Sequence, residues 1–200
     1  MNTNPTFTAN RPLLGALGAL GLGIAFLTIP PRRVRRSATA NDRRRAFIAY
    51  LRDHLTGSDA AIHVVHQLAQ SHRDAPEGAV FASLYDELEA DRDVVRSLLA
   101  DLGASSRSIK RLAGHAAGLA LRSADGTPGD LSLFRALEGI AVGIQGKRCL
   151  WRAAQTLSPA VRPPGSRSFR DLEADAVKQW EAVERLRLAY APRTFSGERV

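Results

Sequence analysis

The stretch LYDELEADRDVVRSLL, residues 84–99, decides the fold class of this chain. Together with its neighbours it places an apolar side chain at every third or fourth position, the spacing of one helix face. One position of that face is a carboxylate, Asp91. Because an unpaired charge is costly to bury, the pattern predicts a long helix whose buried face carries a partnered Asp91. The face consists of Phe81, Leu84, Leu88, Asp91, Val95, Leu98 and Leu102.

Three other long stretches have the same helical period. The first covers residues 41–72, with Asn41 or Asp42 as its cap; the next begins after Asp130, and the last covers residues 167–191 and ends before Pro192. Pro76 suits the first turn of the second helix, which contains residues 84–99, and that helix is predicted to end at Gly103, a residue suited to the position just beyond a helix end. The three apolar faces are Ile48, Leu51, Leu55, Ser58, Ile62, Val65 and Ala69; Leu133, Leu137, Ile140, Ile144, Lys147 and Trp151; and Phe169, Leu172, Ala176, Gln179, Val183, Leu186 and Tyr190.

These stretches predict an all-α four-helix bundle. The short break at residues 73–78 makes the first two helices antiparallel neighbours. Residues 106–122, rich in small side chains, form a short predicted helix that carries the chain back to the other end. The 84–99 helix and the helix after Asp130 are therefore expected to run parallel. The glycines of GIQGK, residues 143–147, are expected to allow close contact between helices.

One polar residue lies near the middle of each long apolar face. With the predicted connectivity, these four residues lie within one or two turns of the same level. Asp91 and Lys147 are expected to form an ion pair, capped by Ser58 and Gln179. Such a pair adds little net stability, but it sets the register of the helices, and removing one partner is costly.

The 200-residue chain carries a net charge of +8, and this excess is uneven along the sequence. Residues 1–45 hold eight Arg and one Asp, whereas the remaining residues hold 20 basic and 19 acidic side chains. A folded body this close to neutral does not favour duplex binding, so nucleic acid is not an expected partner. The single Cys149 excludes an intrachain disulfide, and no neighbouring acid or histidine marks it as a nucleophile.

An uncharged run at residues 13–29 precedes the Arg cluster PPRRVRR. Its length and flanking charges predict a single membrane anchor, with contacts over residues 13–36 and the bundle on the cytoplasmic side. Two alternatives stay open: a signal cleaved near ATA at residues 38–40, and a leader without a role beside a soluble cytoplasmic body. The predicted organisation is an arm at 1–40, a bundle at 41–191 and a flexible tail at 192–200.

Three motifs resemble those of a group of uncharacterised bacterial ferritin-like proteins. They are DHLTGS at 53–58, LYDELEADRDVVRSLLADLG at 84–103 and LFRALEGIAVGIQGKRCLW at 133–151. The resemblance covers about residues 46–191 and leaves the arm out. It implies a ferritin-like bundle with one long crossover. Ferritin-like relatives that perform chemistry bind two metal ions in the core.

A two-metal centre in such a bundle needs Glu-x-x-His on two helices and a Glu on each of the others. The chain contains no Glu-x-x-His. The remaining candidate ligands for iron, manganese or zinc are His54, Glu87, Asp91 and Glu138 in the core, and His63 and His66, one turn from Asp59, on a flank. The expectation is therefore a bundle without metal, cofactor or catalysis.

Three functions stay open. The first is a membrane-tethered, non-catalytic interaction or structural module, with a protein partner or a second copy of the chain. The second is a ferritin-like oxidase or metal store with atypical ligands. The third is a tether for anionic lipid or nucleic acid through the Arg-rich arm.

Overall fold

The structure is a computed structural model that describes residues 38–104 and 129–196. These residues form four helices and no strand: α1 (Ala40–Ser71), α2 (Gly78–Asp101), α3 (Gly129–Gln155) and α4 (Phe169–Phe195). All of them belong to a unit that begins at Ala38. An all-α fold with four long helices was expected, and it is confirmed.

Two predicted features lie outside the described residues: the apolar run at 13–29 and the short helix at 106–122. Most of the arm and the last four residues of the tail lie outside them as well. Among the described helices, none combines the length and the apolar character that crossing a bilayer requires.

Contacts between helix ends show two antiparallel pairs. Near the start of α1, the guanidinium of Arg44 donates a hydrogen bond to the carbonyl of Leu102, just beyond the end of α2. Near the end of α4, the hydroxyl of Thr194 lies 3.4 Å from the carbonyl oxygen of Asp130, at the start of α3. The pairs α1–α2 and α3–α4 are therefore helical hairpins.

The two hairpins are joined so that α2 and α3 run parallel. The phenol of Tyr190 near the end of α4 donates to the carboxylate of Glu77, the N-cap residue of α2. Since α4 is antiparallel to both α2 and α3, those two point the same way, as expected. Ala104 and Gly129 consequently lie at opposite ends of the bundle.

The N-termini of α1 and α4 are capped in the same way. Thr39 caps α1: its hydroxyl accepts the backbone N–H of Asp42, whose carboxylate accepts the N–H of Thr39. Ser168 and Asp171 form the same reciprocal box at α4. The predicted cap of α1 at Asn41 or Asp42 was wrong, because in a capping box the acidic residue stands three positions inside the helix.

The C-terminus of α2 lies where it was predicted, whereas that of α4 lies beyond the predicted stop at Pro192. Gly103 has φ +59°, and the bonds from its N–H and from that of Ala104 back to α2 form a Schellman motif, as expected. In contrast, α4 passes through Pro192 and reaches Phe195. A proline this close to a helix end removes only the bond to the carbonyl of Leu188, an exposed residue, so the helix tolerates it.

The core is built from the predicted apolar faces. Trp151 and Phe81 are the largest fully buried side chains. The exceptions are half-buried rather than buried: Ile48, Ala69, Leu102 and Leu186. Helical period alone was therefore sufficient to find most of the core.

The glycines at 143 and 146 do not make the close helix contacts that were predicted. A Cβ added at Gly143, Gly146 or Gly57 would meet no atom within 4 Å outside its own helix. These glycines line an open cleft, so the helices are separated along this side.

Replacing Gly143 or Gly146 by alanine should stabilise the protein by about 0.5–1 kcal/mol, because alanine in a helix restricts the unfolded chain and meets no clash here. Urea unfolding followed by circular dichroism measures the change. Gly78→Ala is the matched control, because its Cβ would lie 2.3 Å from the carbonyl oxygen of His72. A loss of stability at both cleft positions would contradict the open geometry.

The contact between Tyr190 and Glu77 predicts a dependence on alkaline pH. Burial, together with the bond to Glu77 and its charge, raises the pKa of Tyr190 to about 12. A raised pKa contributes stability below the unfolded value of about 10, and this contribution is lost as the pH rises toward 12. Tyr190→Phe should therefore cost roughly 1–2 kcal/mol at neutral pH. The difference from wild type should shrink between about pH 10 and 12 in urea unfolding; a difference that does not change with pH would refute the assignment.

Candidate functional site

Three polar side chains meet in the middle of the bundle. Lys147 of α3 donates from Nζ to Oδ2 of Asp91 on α2 at 2.6 Å, and also to Oε1 of Gln179 on α4. Nε2 of Gln179 in turn lies 3.3 Å from the same Asp91 oxygen. The residues are 4%, 9% and 3% exposed for Asp91, Lys147 and Gln179. These three residues are called the polar cluster below.

The electrostatics of the polar cluster follow from its burial. Burial lowers the pKa of Lys147, because it removes the ammonium from water. The charge of Asp91 and its hydrogen bond oppose that effect, and the charges of Glu87 and Asp175 do so from farther away. The carboxylate of Asp91 therefore stabilises the charged form of Lys147. Without that carboxylate, nothing in the pair would offset the free-energy cost of burying the ammonium.

Ser58 was predicted to join this layer. It lines the same cleft as Asp91 and Lys147, but its hydroxyl makes no hydrogen bond to the polar cluster. It is half-buried, and its hydroxyl donates at 2.9 Å to the carbonyl of His54 in its own helix. Serine in a helix commonly bonds back in this way. The buried hydroxyl of α1 is that of Thr56, which bonds back to Arg52 at 3.0 Å. Sequence reasoning missed Thr56 because it lies one position outside the apolar face.

The open cleft between α1 and α3 reaches the polar cluster from one side. Its volume is about 290 Å³, and Asp91 and Lys147 are among its lining residues. His54 lines it too, and burial lowers the pKa of that imidazole, against the opposing charge of Asp53. Most of the lining surface is apolar, and the ion pair of Asp91 and Lys147 is part of it.

A groove between α2 and α4 reaches the polar cluster from the other side. Its volume is about 710 Å³, and Asp91 and Gln179 line it. At its rim Asp175 accepts ion pairs from Arg167 at 2.5 Å and from Lys178 at 3.0 Å. Asp91 thus lines both openings, although its Oδ2 is already shared by two donors.

The candidate core metal ligands do not converge. His54 lies in the α1–α3 cleft, whereas Glu87 is exposed on α2 and accepts a hydrogen bond from Ser83. Glu138 is exposed on α3. Within residues 38–104 and 129–196, no three His, Cys, Asp or Glu side chains are grouped so that they could hold one metal ion.

The flanking histidines are not brought together with their acidic neighbour. Asp59 lies 3.7 Å from Arg92 and from Arg96, which gives it two cationic partners on α2. His66 packs against the ring of Tyr85 at 5.1 Å, and His63 is exposed. The regular spacing of these residues on one helix did not reveal the arginines that the neighbouring helix supplies.

The polar cluster uses its hydrogen bonds internally. Two donors of Lys147 and one oxygen of Asp91 are committed to partners inside the bundle. Such an arrangement is suited to setting the register of α2, α3 and α4. No protein-family model, curated protein or solved structure matches the chain.

Proposed function

We propose that this protein is a membrane-tethered, ferritin-like helical bundle that acts as a non-catalytic interaction or structural module. The observation that supports it most directly is the ammonium of Lys147, hydrogen-bonded by Asp91 and Gln179 in the middle of the core. In bundles with a two-metal centre, that region carries the metal ions and their carboxylate ligands.

The connectivity supports the ferritin-like part of the proposal. Two antiparallel hairpins with α2 parallel to α3 require a connection between opposite ends of the bundle, as in ferritin-like folds with their single long crossover. The resemblance of the three sequence motifs points to the same fold class.

A single cation beside a single carboxylate supports the non-catalytic part. One ammonium balances the charge of Asp91, and a divalent ion would need several carboxylates and imidazoles in its place. Binding of a metal there would have to expel a buried, hydrogen-bonded ammonium. A bundle of this kind is suited to holding a fixed shape for a partner.

The sequence of the arm supports the tether. Seventeen uncharged residues at 13–29 would span roughly 25 Å as a helix, and four Arg follow within seven residues. That asymmetry favours a bundle on the cytoplasmic side.

The test combines fractionation with metal analysis of full-length protein. We expect the protein in the membrane fraction in low and high salt, and expect Leu20→Arg/Ile24→Arg to release it, because charges in the middle of an anchor oppose insertion. The extracted protein, supplied with iron, manganese and zinc, should carry less than one metal ion per chain.

Two outcomes would overturn the proposal. Wild-type protein that stays soluble without cleavage would remove the tether. Stoichiometric metal that is lost in His54→Ala, Glu87→Ala or Glu138→Ala would make the bundle a metal protein with atypical ligands.

A further inference from the structure

The charges of the bundle are separated along its axis. The polar cluster divides the described residues into an arm-side half (38–57, 92–104 and 148–178) and a far half (58–90, 129–146 and 180–196). The arm-side half holds 12 basic and 7 acidic side chains, whereas the far half holds 5 basic and 10 acidic ones. The net charges are therefore +5 and −5, although the described residues as a whole are neutral.

Exposed arginines concentrate at the extremity of the arm-side half. The directions of the helices bring the start of α1, the end of α3 and the start of α4 to this same extremity. The exposed arginines there are called the basic end, and they are Arg43, Arg44, Arg45, Arg152, Arg162, Arg167 and Arg170. Three exposed acids, Asp42, Asp101 and Asp171, lie at the same extremity, so the arginines outnumber them there. The exposed charged residues of the far half are five acids and four arginines: Asp74, Asp86, Glu87, Glu138, Glu181, Arg73, Arg135, Arg185 and Arg193.

Two further features accompany the basic end. Leu157, in the loop that joins α3 to α4, is 40% exposed and lies between Arg152 and Arg162 in sequence. Ala38, the residue that joins the bundle to the arm, is at the same extremity because α1 begins two residues later. Exposed apolar side chains are not confined to this end, since Val142, Leu188 and Phe195 are exposed in the far half. The cluster of arginines is the feature that is typical of surfaces that bind lipid headgroups.

We propose that the basic end of the bundle docks on an anionic lipid surface. This inference rests on the membrane tether of the proposed function and adds an orientation to it. A negatively charged surface attracts the basic end and repels the far half. Both effects orient the bundle with its basic end on the membrane. The uncharged apolar run at residues 13–29 of the same chain favours lipid over nucleic acid.

The single cysteine offers a native reporter of this orientation. Cys149 is exposed and lies in the arm-side half of α3. Full-length protein labelled there with a fluorescent donor is mixed with vesicles that contain a headgroup acceptor. The vesicles are either phosphatidylcholine alone or equimolar phosphatidylcholine and phosphatidylserine. We expect stronger energy transfer with phosphatidylserine, and a decrease on adding salt.

Matched charge reversals identify the surface. Arg152→Glu/Arg162→Glu/Arg170→Glu changes the basic end, and Arg73→Glu/Arg135→Glu/Arg185→Glu makes the same charge change in the far half, again at exposed positions. Each basic side chain near an anionic surface contributes roughly fivefold to binding, so the loss of three arginines should weaken docking by at least about a hundredfold, and the three added carboxylates should weaken it further. The far-half variant should keep the wild-type signal, or a stronger one. A donor at Ala189→Cys in a Cys149→Ser background should show weaker transfer than the donor at Cys149.

Four results would overturn the docking proposal. Equal energy transfer with and without phosphatidylserine would show that the arm alone contacts the membrane; the proposed tether would then be retained and the docking rejected. If the protein bound to none of the vesicles, the proposed tether would be rejected as well. Equal losses in the two triple variants would show a general charge effect. Binding of duplex DNA that depends on the basic end, without any response to phosphatidylserine, would assign that end to nucleic acid.

Discussion

Replacing either Asp91 or Lys147 by alanine is expected to lower the free energy of unfolding by about 3–5 kcal/mol. The two side chains are 4% and 9% exposed, and Nζ lies 2.6 Å from Oδ2. Each single change leaves the other charge buried without its counter-ion, which costs more than the ion pair itself contributes. Urea unfolding of each variant at neutral pH, followed by circular dichroism, measures the loss.

Replacing the members of the polar cluster by leucine, first two and then all three, should recover most of that loss. In the Asp91→Leu/Lys147→Leu variant the buried amide of Gln179 loses the two partners that it has in the cluster, so the recovery should be incomplete. Adding Gln179→Leu removes this remaining polar group, and the triple variant should approach wild-type stability.

A double-mutant cycle separates this interpretation from two independent losses. The coupling energy between Asp91→Ala and Lys147→Ala should be at least about 1 kcal/mol. Arg148→Ala is the control for the neighbouring position. Arg148 is half-buried and pairs with Glu173 at 3.2 Å, so its replacement should lower the free energy of unfolding by about 1 kcal/mol or less. Additive effects at positions 91 and 147 would contradict the direct pair.

Replacing Trp151 by alanine is expected to cost about 3–5 kcal/mol, because a large core side chain is removed and the cavity is only partly filled by relaxation. Trp151 is fully buried, and its ring stacks on Phe169 with centroids 6.2 Å apart. Thermal and urea unfolding of Trp151→Ala measure the effect. The half-buried Trp180→Ala is the matched control and should lose less.

The indole nitrogen makes Trp151→Phe informative as well. Nε1 of Trp151 is buried and has no hydrogen-bond partner among the described residues. An unsatisfied buried donor costs about 1–3 kcal/mol, so removing it offsets part of the lost packing. Trp151→Phe should therefore lose well under half of what Trp151→Ala loses. Equal losses for the two variants would contradict this account of Trp151.

The elements of this fold could be predicted because each depends on nearby residues. The period of Leu84, Leu88, Val95 and Leu98 marks a buried helix face wherever the helix lies. A carboxylate at Asp91 within such a face demands a partner, and the short break at 73–78 leaves only an antiparallel return. The sequence accordingly predicted the four helices, most of their buried positions and the pairing of Asp91 with Lys147.

Contacts of the candidate site that cross between helices were harder to predict. Ser58 is in register with the polar layer, yet its hydroxyl bonds to its own helix. Asp59 has the right spacing to join His63 and His66, but Arg92 and Arg96 from α2 engage it. For Ser58 the competing acceptor is a backbone carbonyl of its own helix, whereas for Asp59 the competing partners come from a neighbouring helix. The apolar period of α1 indicates neither.

By itself, the sequence determined where the helices form and which faces they bury, because backbone hydrogen bonding and apolar period are properties of a single segment. Only the tertiary structure decided the open cleft beside Gly143 and Gly146 and the separation of charge into two halves. Charges that cancel over the described residues are sorted into opposite ends by the directions of four helices. Direction and spacing depend on how separate segments pack, and no local pattern contains them.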